Sequence, residues 1–177
     1  SEQLPVTADV SAHQLHLTEH DISSFNSAGH VIPPLRTQRD MEALRMGVAD
    51  GIIDAICSDH QPHDIDAKQA PFASTEPGIS ALESFLPLCL RLTQQTSISL
   101  SDVIERVTSS PANILGVNAG TLSIGAPANL CIFDENEDWQ LTQDTIHSHG
   151  KNTPFLGWNF QGKVKRTIID GDQLYCD

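Results

Sequence analysis

Basic residues are scarce in this chain. Ten Lys and Arg stand against 23 Asp and Glu in 177 residues, a formal net charge of -13. Phosphate backbones and anionic bilayers are gripped by clustered cations, so neither nucleic acid nor membrane is an expected partner. The basic residues are scattered, with Lys163, Lys165 and Arg166 as the one tight group. Long apolar runs are missing too: none approaches the roughly 20 residues of a membrane span. The opening Ser1-Glu2-Gln3-Leu4-Pro5 has neither the charged nor the apolar region of a signal peptide. Cysteine is sparse. The four, at 57, 89, 131 and 176, are widely spaced and include no C-x-x-C pair. That favours buried free thiols in a reducing compartment over disulfides or a zinc cluster, so a soluble cytoplasmic protein is expected.

What is present centres on Ala55-Ile56-Cys57-Ser58-Asp59-His60-Gln61-Pro62-His63-Asp64. The apolar run Ile52 to Cys57 reads as a buried strand over Ile52 to Ser58. It ends in Asp59, two histidines and Pro62, which cannot continue a ladder. A carboxylate at the carboxyl end of a buried strand, with imidazoles within a turn, suits a metal-assisted hydrolase, where it can ligate the metal and take the proton from water. The plainer alternative is a strand running into a polar loop that Asp59 caps.

Around this stretch, Leu4 to Val10 reads as a strand with no preceding cap, so the chain looks truncated. Thr18 caps a short helix through Asp21 and Ile22. His13, His16 and His20 have helical spacing, but a metal there lacks a fourth ligand, and surface histidines beside a cleft are expected. Prolines 33 and 34 keep Val31 to Arg36 extended. Thr37 caps a helix from Gln38 to Asp50, which Gly51 ends. The loop Asp64 to Pro77 is long enough to suggest a lid. Helices follow at Ile79 to Leu92 (kinked at Pro87), from Ser101-Asp102 through Val107, and from Pro111 to Gly116. From Gly120 onward, short apolar runs at Leu122, Ile124, Leu130 to Phe133, Trp139 to Leu141, Lys163 to Ile169 and Gln173 to Tyr175 read as at least four strands, with Asp170-Gly171 as a hairpin.

With these elements placed, several stretches resemble the dihydroorotases of the amidohydrolase superfamily: Val6-Thr7-Ala8-Asp9-Val10, Pro33-Pro34-Leu35-Arg36, Gly51-Ile52-Ile53-Asp54, Ser58 to His63, and Pro77-Gly78-Ile79. So do Leu82-Glu83, Gly120-Thr121-Leu122, Gly125 to Leu130, Asn152-Thr153-Pro154-Phe155-Leu156-Gly157 and Ile169-Asp170-Gly171. The resemblance implies an α/β fold: the C-terminal portion of a metal-dependent-hydrolase (β/α)8 barrel over residues 1–117, then a small all-β flanking domain over 118–177. It places Asp59 at the carboxyl end of the eighth barrel strand, as metal contact and general base in the interconversion of N-carbamoyl-aspartate and dihydroorotate, a step of pyrimidine biosynthesis. His63 matches a substrate-contacting histidine, and Pro77 and Gly78 a backbone pair touching the substrate. The complete family enzyme carries zinc.

Two departures qualify this. The family's H-x-H pair, its bridging carboxylate or carboxylated lysine and its further metal histidines all precede the matched stretch. Of that ligand set only Asp59 is here, so no metal is expected for this chain alone. His147-Ser148-His149 has the H-x-H pattern but lies where the family has no metal site. Secondly, Ile32 stands where active dihydroorotases carry an asparagine that hydrogen-bonds the substrate, and each polar group left unpaired in a closed site costs about 1–3 kcal/mol. Ala12-His13-Gln14, Ile32 and Gln61-Pro62 are closer to the inactive dihydroorotase-like proteins of some bacteria, structural partners of aspartate transcarbamoylase. The expectations are therefore a dihydroorotase acting on a small-molecule substrate, inactive as this piece alone, or a non-catalytic relative scaffolding the transcarbamoylase. Either piece is expected to associate with a missing N-terminal barrel half or with itself.

Overall fold

A computed structural model describes residues 5–177. Leu4, the first residue of the expected opening strand, lies outside them. The first strand is short, β1 (Asp9–Ser11), and pairs in parallel with β2 (Ala55–Cys57), Asp9 opposite Ala55 and Ser11 opposite Cys57. Parallel strands need a long crossover between them. Here it includes α1 (Gln38–Ala49), closed at its amino end by Thr37, whose hydroxyl accepts from the Asp40 amide while the Asp40 carboxylate accepts from the Thr37 amide.

Strand β2 is shorter than the run Ile52 to Ser58, for a local reason. The Ile52 and Ile53 amides both donate to the Gly47 carbonyl, finishing α1, and cannot join a ladder. Gly51 turns the chain at φ +74, and Ile52 is left 71 % exposed while Ile53 is buried. The helix expected from Ile79 also begins later, as α2 (Leu82–Gln95), continuous across Pro87. Ile79 forms an isolated parallel bridge with His60, and the Ser80 amide donates to the Asn152 carbonyl, which keeps both residues extended. Helices α3 (Leu100–Val107) and α4 (Ser109–Leu115) follow, α3 capped by Ser99 and α4 ended by Gly116 in the left-handed conformation. The lid-like loop contains two short 3-10 turns, Ile65–Lys68 and Phe72–Ser74.

The tail forms three strands rather than four or more: β3 (Leu130–Gln140), β4 (Asn159–Ile169) and β5 (Asp172–Cys176), antiparallel in that order. The runs at Leu130 and Trp139 merge into one strand because β4 is long enough to pair both, through register shifts near Asp134. Leu122 and Ile124 find no strand partner, and both are exposed. The turn at Asp170-Gly171 joins β4 to β5 as expected. Lys163 and Lys165 are not free cations, since each pairs with Glu137 and Asp177.

Burial corrects the cysteine expectation. All four thiols are free, but only Cys89 is buried; Cys57 is half-buried, and Cys131 and Cys176 are exposed on the tail sheet. The histidine expectation changes as well. His13 is 1 % exposed, inside the 3-10 turn Ala12–Leu15, and His16 is half-buried; of the three only His20 is exposed. They form no helical face, because the turn ends at Leu15 and Thr18 starts another. The main core joins β1 and β2 (Val10, Ile56) to Leu88 and Leu92 of α2, Val103 of α3, and tail residues Leu141, Ile146, Phe155 and Phe160.

His16 donates from Nε2 to the Leu88 carbonyl, 2.8 Å away, tying the first turn to α2. Burial, with Arg45 adding, pushes its pKa down to about 4; burial does the same to His13. Between about pH 4 and 6.5 the unfolded chain therefore binds protons the folded chain refuses. Stability is full above pH 6.5 and falls on acidification, by up to roughly 1.4 kcal/mol per pH unit for each such group. Urea denaturation from pH 7.5 to 4 should show that slope, and His16→Gln, which keeps a donor for Leu88, should reduce it by about half, the His13 share remaining.

Among the described residues β1 pairs with β2 alone, leaving its other edge open. Val6, Met46, Ile52, Leu115 and Val117 are all more than half exposed. Open edges and apolar surface favour pairing with another chain. Light scattering of the purified chain is expected to show species heavier than 19.2 kDa. A monodisperse, cooperatively folding monomer at low concentration would contradict this.

Candidate functional site

The site lies where the chain leaves the carboxyl ends of β1 and β2. Asp59 sits two residues past β2 with φ +47, a left-handed conformation costing about 1 kcal/mol in a non-glycine residue, less for aspartate than for most. Its carboxylate is held on both oxygens. Ser11 Oγ donates to Oδ2 at 3.2 Å and Gln61 Nε2 to Oδ1 at 2.8 Å. His13 Nε2 lies 3.9 Å from Asp59 Oδ2, too far for a hydrogen bond, and neither ring nitrogen of His13 has a partner. With its pKa near 4, His13 is neutral at ordinary pH, so this is a close approach and not an ion pair. Cys57 is no nucleophile: burial, with Asp9 adding, pushes its thiol up to about 11.

The expected substrate contacts lie together, one turn further on. His63 Nε2 donates to the Pro77 carbonyl at 3.0 Å, which fixes the proton on Nε2 and leaves Nδ1 as an acceptor. The Gly78 amide donates to the His30 carbonyl, and the Gly78 carbonyl accepts from Asn152 Nδ2 at 2.9 Å. Gly78 adopts φ +140, and a side chain there would meet Gln61 Cβ at 2.6 Å, so this close approach needs glycine. Every backbone donor and acceptor of Pro77 and Gly78 thus already has a partner within the protein. His60 Nδ1 accepts from the Ala81 amide. Ile32 is 68 % exposed, two residues from the His30 carbonyl that receives Gly78.

Ser11 and Asn152 are structural contributors that the local sequence does not single out, and Gln61, though inside the central stretch, carried no expected role in holding Asp59. Asn152 belongs to the Asn152-Thr153-Pro154-Phe155 stretch, but nothing in that text shows it reaching back to Gln61, His63 and Gly78. Ser11 and Gln61 come to Asp59 through the parallel register of β1 and β2 and the turn after β2. Of the H-x-H pair in the tail, His147 packs edge-on against Tyr175 and its amide, like that of Ser148, donates to Glu83.

Zinc takes four ligands in a structural site and three protein ligands in a catalytic one. Among the described residues no three His, Cys, Asp or Glu side chains are grouped to hold a metal. Asp59 and the unpartnered nitrogens of His13 offer two donors at most, so these residues do not by themselves fit a zinc centre.

Comparison with known proteins agrees with this geometry. Residues 6–174 match the Amidohydrolase family. A dihydroorotase-like protein of Pseudomonas aeruginosa is 46% identical over 168 residues, 95% of this chain and 40% of that protein. A dihydroorotase of Syntrophotalea carbinolica is 41% identical over 170 residues, 96% of this chain and 40% of the enzyme. The L-hydantoinase (dihydropyrimidinase) of Arthrobacter aurescens superimposes with a TM-score of 0.88 at 26% identity, over 96% of this chain and 39% of its own. The chain thus spans about 40% of the length of the curated relatives it matches. The superposition on part of the hydantoinase, with the family match over residues 6–174, makes the β1–β2 pair and its helices part of the mixed α/β amidohydrolase fold. The chain belongs to the amidohydrolase family, and dihydroorotases and dihydroorotase-like proteins are among the relatives it resembles.

Proposed function

We propose that this chain is the C-terminal part of a non-catalytic dihydroorotase-like protein that acts as a structural partner of aspartate transcarbamoylase in cytoplasmic pyrimidine synthesis. In this reading residues 1–117 belong to the barrel and 118–177 to its flanking β domain. The observation that carries it is the state of the positions read as substrate contacts. Pro77, Gly78 and both oxygens of Asp59, the expected metal contact, are bonded to neighbouring protein groups, and the Ile32 side chain offers no hydrogen bond. A ligand entering here has to break bonds among these groups before it makes its own, which offsets its binding by about 0.5–1.5 kcal/mol for each bond lost.

A second reading has its own support: a working cyclic amidohydrolase interconverting dihydroorotate and N-carbamoyl-aspartate once the rest of a barrel is present. Asp59 stands at the carboxyl end of a barrel strand, and the buried His13 beside it keeps both ring nitrogens unpartnered. In that reading Asp59 is the base, His63, Pro77 and Gly78 hold the substrate, and zinc comes with donors outside the described residues.

One set of measurements separates the two. The chain, alone and with its full-length parent, is mixed with aspartate transcarbamoylase of the same organism, followed by light scattering and a dihydroorotate hydrolysis assay with added zinc. The scaffold reading expects a heavier complex with the parent, no turnover, and under about 0.1 zinc per chain by elemental analysis, since two donors do not make a zinc site. Zinc-dependent turnover by the parent that Asp59→Asn abolishes would replace it with the catalytic reading.

A further inference from the structure

Asn152 is distant in sequence from the loops it touches, and its side chain is nearly saturated. The residue is 8 % exposed. Its Oδ1 accepts the His63 amide at 2.7 Å, and its Nδ2 donates to the Gln61 carbonyl at 3.1 Å and the Gly78 carbonyl at 2.9 Å. Its own carbonyl accepts the Ser80 amide at 2.9 Å. One carboxamide therefore spans two loops, the turn after β2 that carries His63 and the stretch entering α2 that carries Pro77 and Gly78. No hydrocarbon side chain can do this, because the three partners include both donors and acceptors.

The backbone beside it is fitted to the same purpose. A side chain at Gly150 would meet the His63 amide nitrogen at 2.5 Å, the His63 carbonyl at 2.7 Å and Pro62 Cβ at 2.7 Å. The tail segment and the His63 turn are thus in direct backbone contact. On the far side, Glu83 Oε1 accepts from the His147 and Ser148 amides at 2.8 and 2.9 Å, so the same segment is also fixed to the first turn of α2.

We propose that Asn152 is a positioning residue: its carboxamide sets the distance between the His63 turn and Pro77-Gly78 and thereby directs the His63 imidazole onto the Pro77 carbonyl. The inference rests on the reading of His63, Pro77 and Gly78 as the ligand-facing positions, and applies whether the site is catalytic or only a vestige. What it adds is that the geometry of the site is governed from the tail, 89 residues along the chain from His63.

The test needs no turnover, so it stands apart from the outcome of the activity assay. Amide hydrogen exchange and imidazole nitrogen spectra are recorded by NMR on the purified chain and its variants. The unaltered chain should show a slowly exchanging His63 amide and a His63 ring protonated on Nε2. Asn152→Ala should speed His63 exchange by about tenfold or more, the effect of losing one buried acceptor, and release the ring into a mixture of tautomers. Asn152→Asp keeps the acceptor and loses both donors. It should preserve His63 amide protection within about threefold while the carbonyl carbon resonances of Gln61 and Gly78 shift, since those two carbonyls lose their side-chain donor. Gly150→Ala retains the carboxamide but forces the backbones apart, and should reproduce the Asn152→Ala pattern. It gives an independent measurement if that variant folds poorly. The proposal fails if His63 exchange and tautomer are unchanged in Asn152→Ala and Gly150→Ala. It fails equally if exchange at Val48 in α1 rises in step with His63, since that is general loosening, or if the Asp and Ala variants behave alike at His63.

Discussion

A pair of parallel strands three residues long cannot hold itself together, and this constraint organises the molecule. Parallel sheets persist when both faces are covered. Val10 and Ile56 share one core with Leu88 and Leu92 from α2, Val103 from α3, and Leu141, Phe155 and Phe160 from a segment that follows more than eighty residues after β2. The order of the chain is therefore a poor guide to what supports what. The strands that lead into Asp59 belong to a core that apolar side chains from the far end of the sequence complete.

The polar arrangement follows from that closure. Once Phe155 is fully buried against Trp158 and Phe160, the residues just before it are carried into the turn after β2. Buried backbone groups need partners, and Asn152 supplies them for three carbonyls or amides at once. Glu83 answers the same demand for His147 and Ser148; its partial burial alone would raise its pKa, but the bonds from those two residues hold it below the usual carboxylate range. The His13 imidazole is one exception, with two buried nitrogens and no partner, directly beside the Asp59 carboxylate.

Local sequence carried the helices well. Thr37 and Gly116 mark boundaries through capping and left-handed conformations, which depend on a residue's immediate neighbours, whereas α3, expected from Ser101-Asp102, is capped two residues earlier, by Ser99. The strands were less legible, because a strand exists only where a partner runs beside it. Ile52 and Ile53 have every propensity for β structure and instead complete α1, while Leu122 and Ile124 have it and pair with nothing. The motif residues Asp59, His63, Pro77 and Gly78 were readable, and their gathering into one place was implied by the resemblance. The bonds that fix them were not readable: Ser11 and Asn152 act across separations set by the fold, and Gln61 reaches Asp59 through the local turn that the left-handed Asp59 makes.

The exposed stretch 118–129 between α4 and β3 lacks regular secondary structure. On either side of it, the tail is attached to the rest of the molecule by Phe155 in the core, by Asn152, and by the two amides on Glu83. Cohesion between the two parts is thus carried by contacts that bypass their connecting peptide. Cleavage within 118–129 would yield a nicked protein of two chains that remain together, separable by denaturant and not by dilution alone.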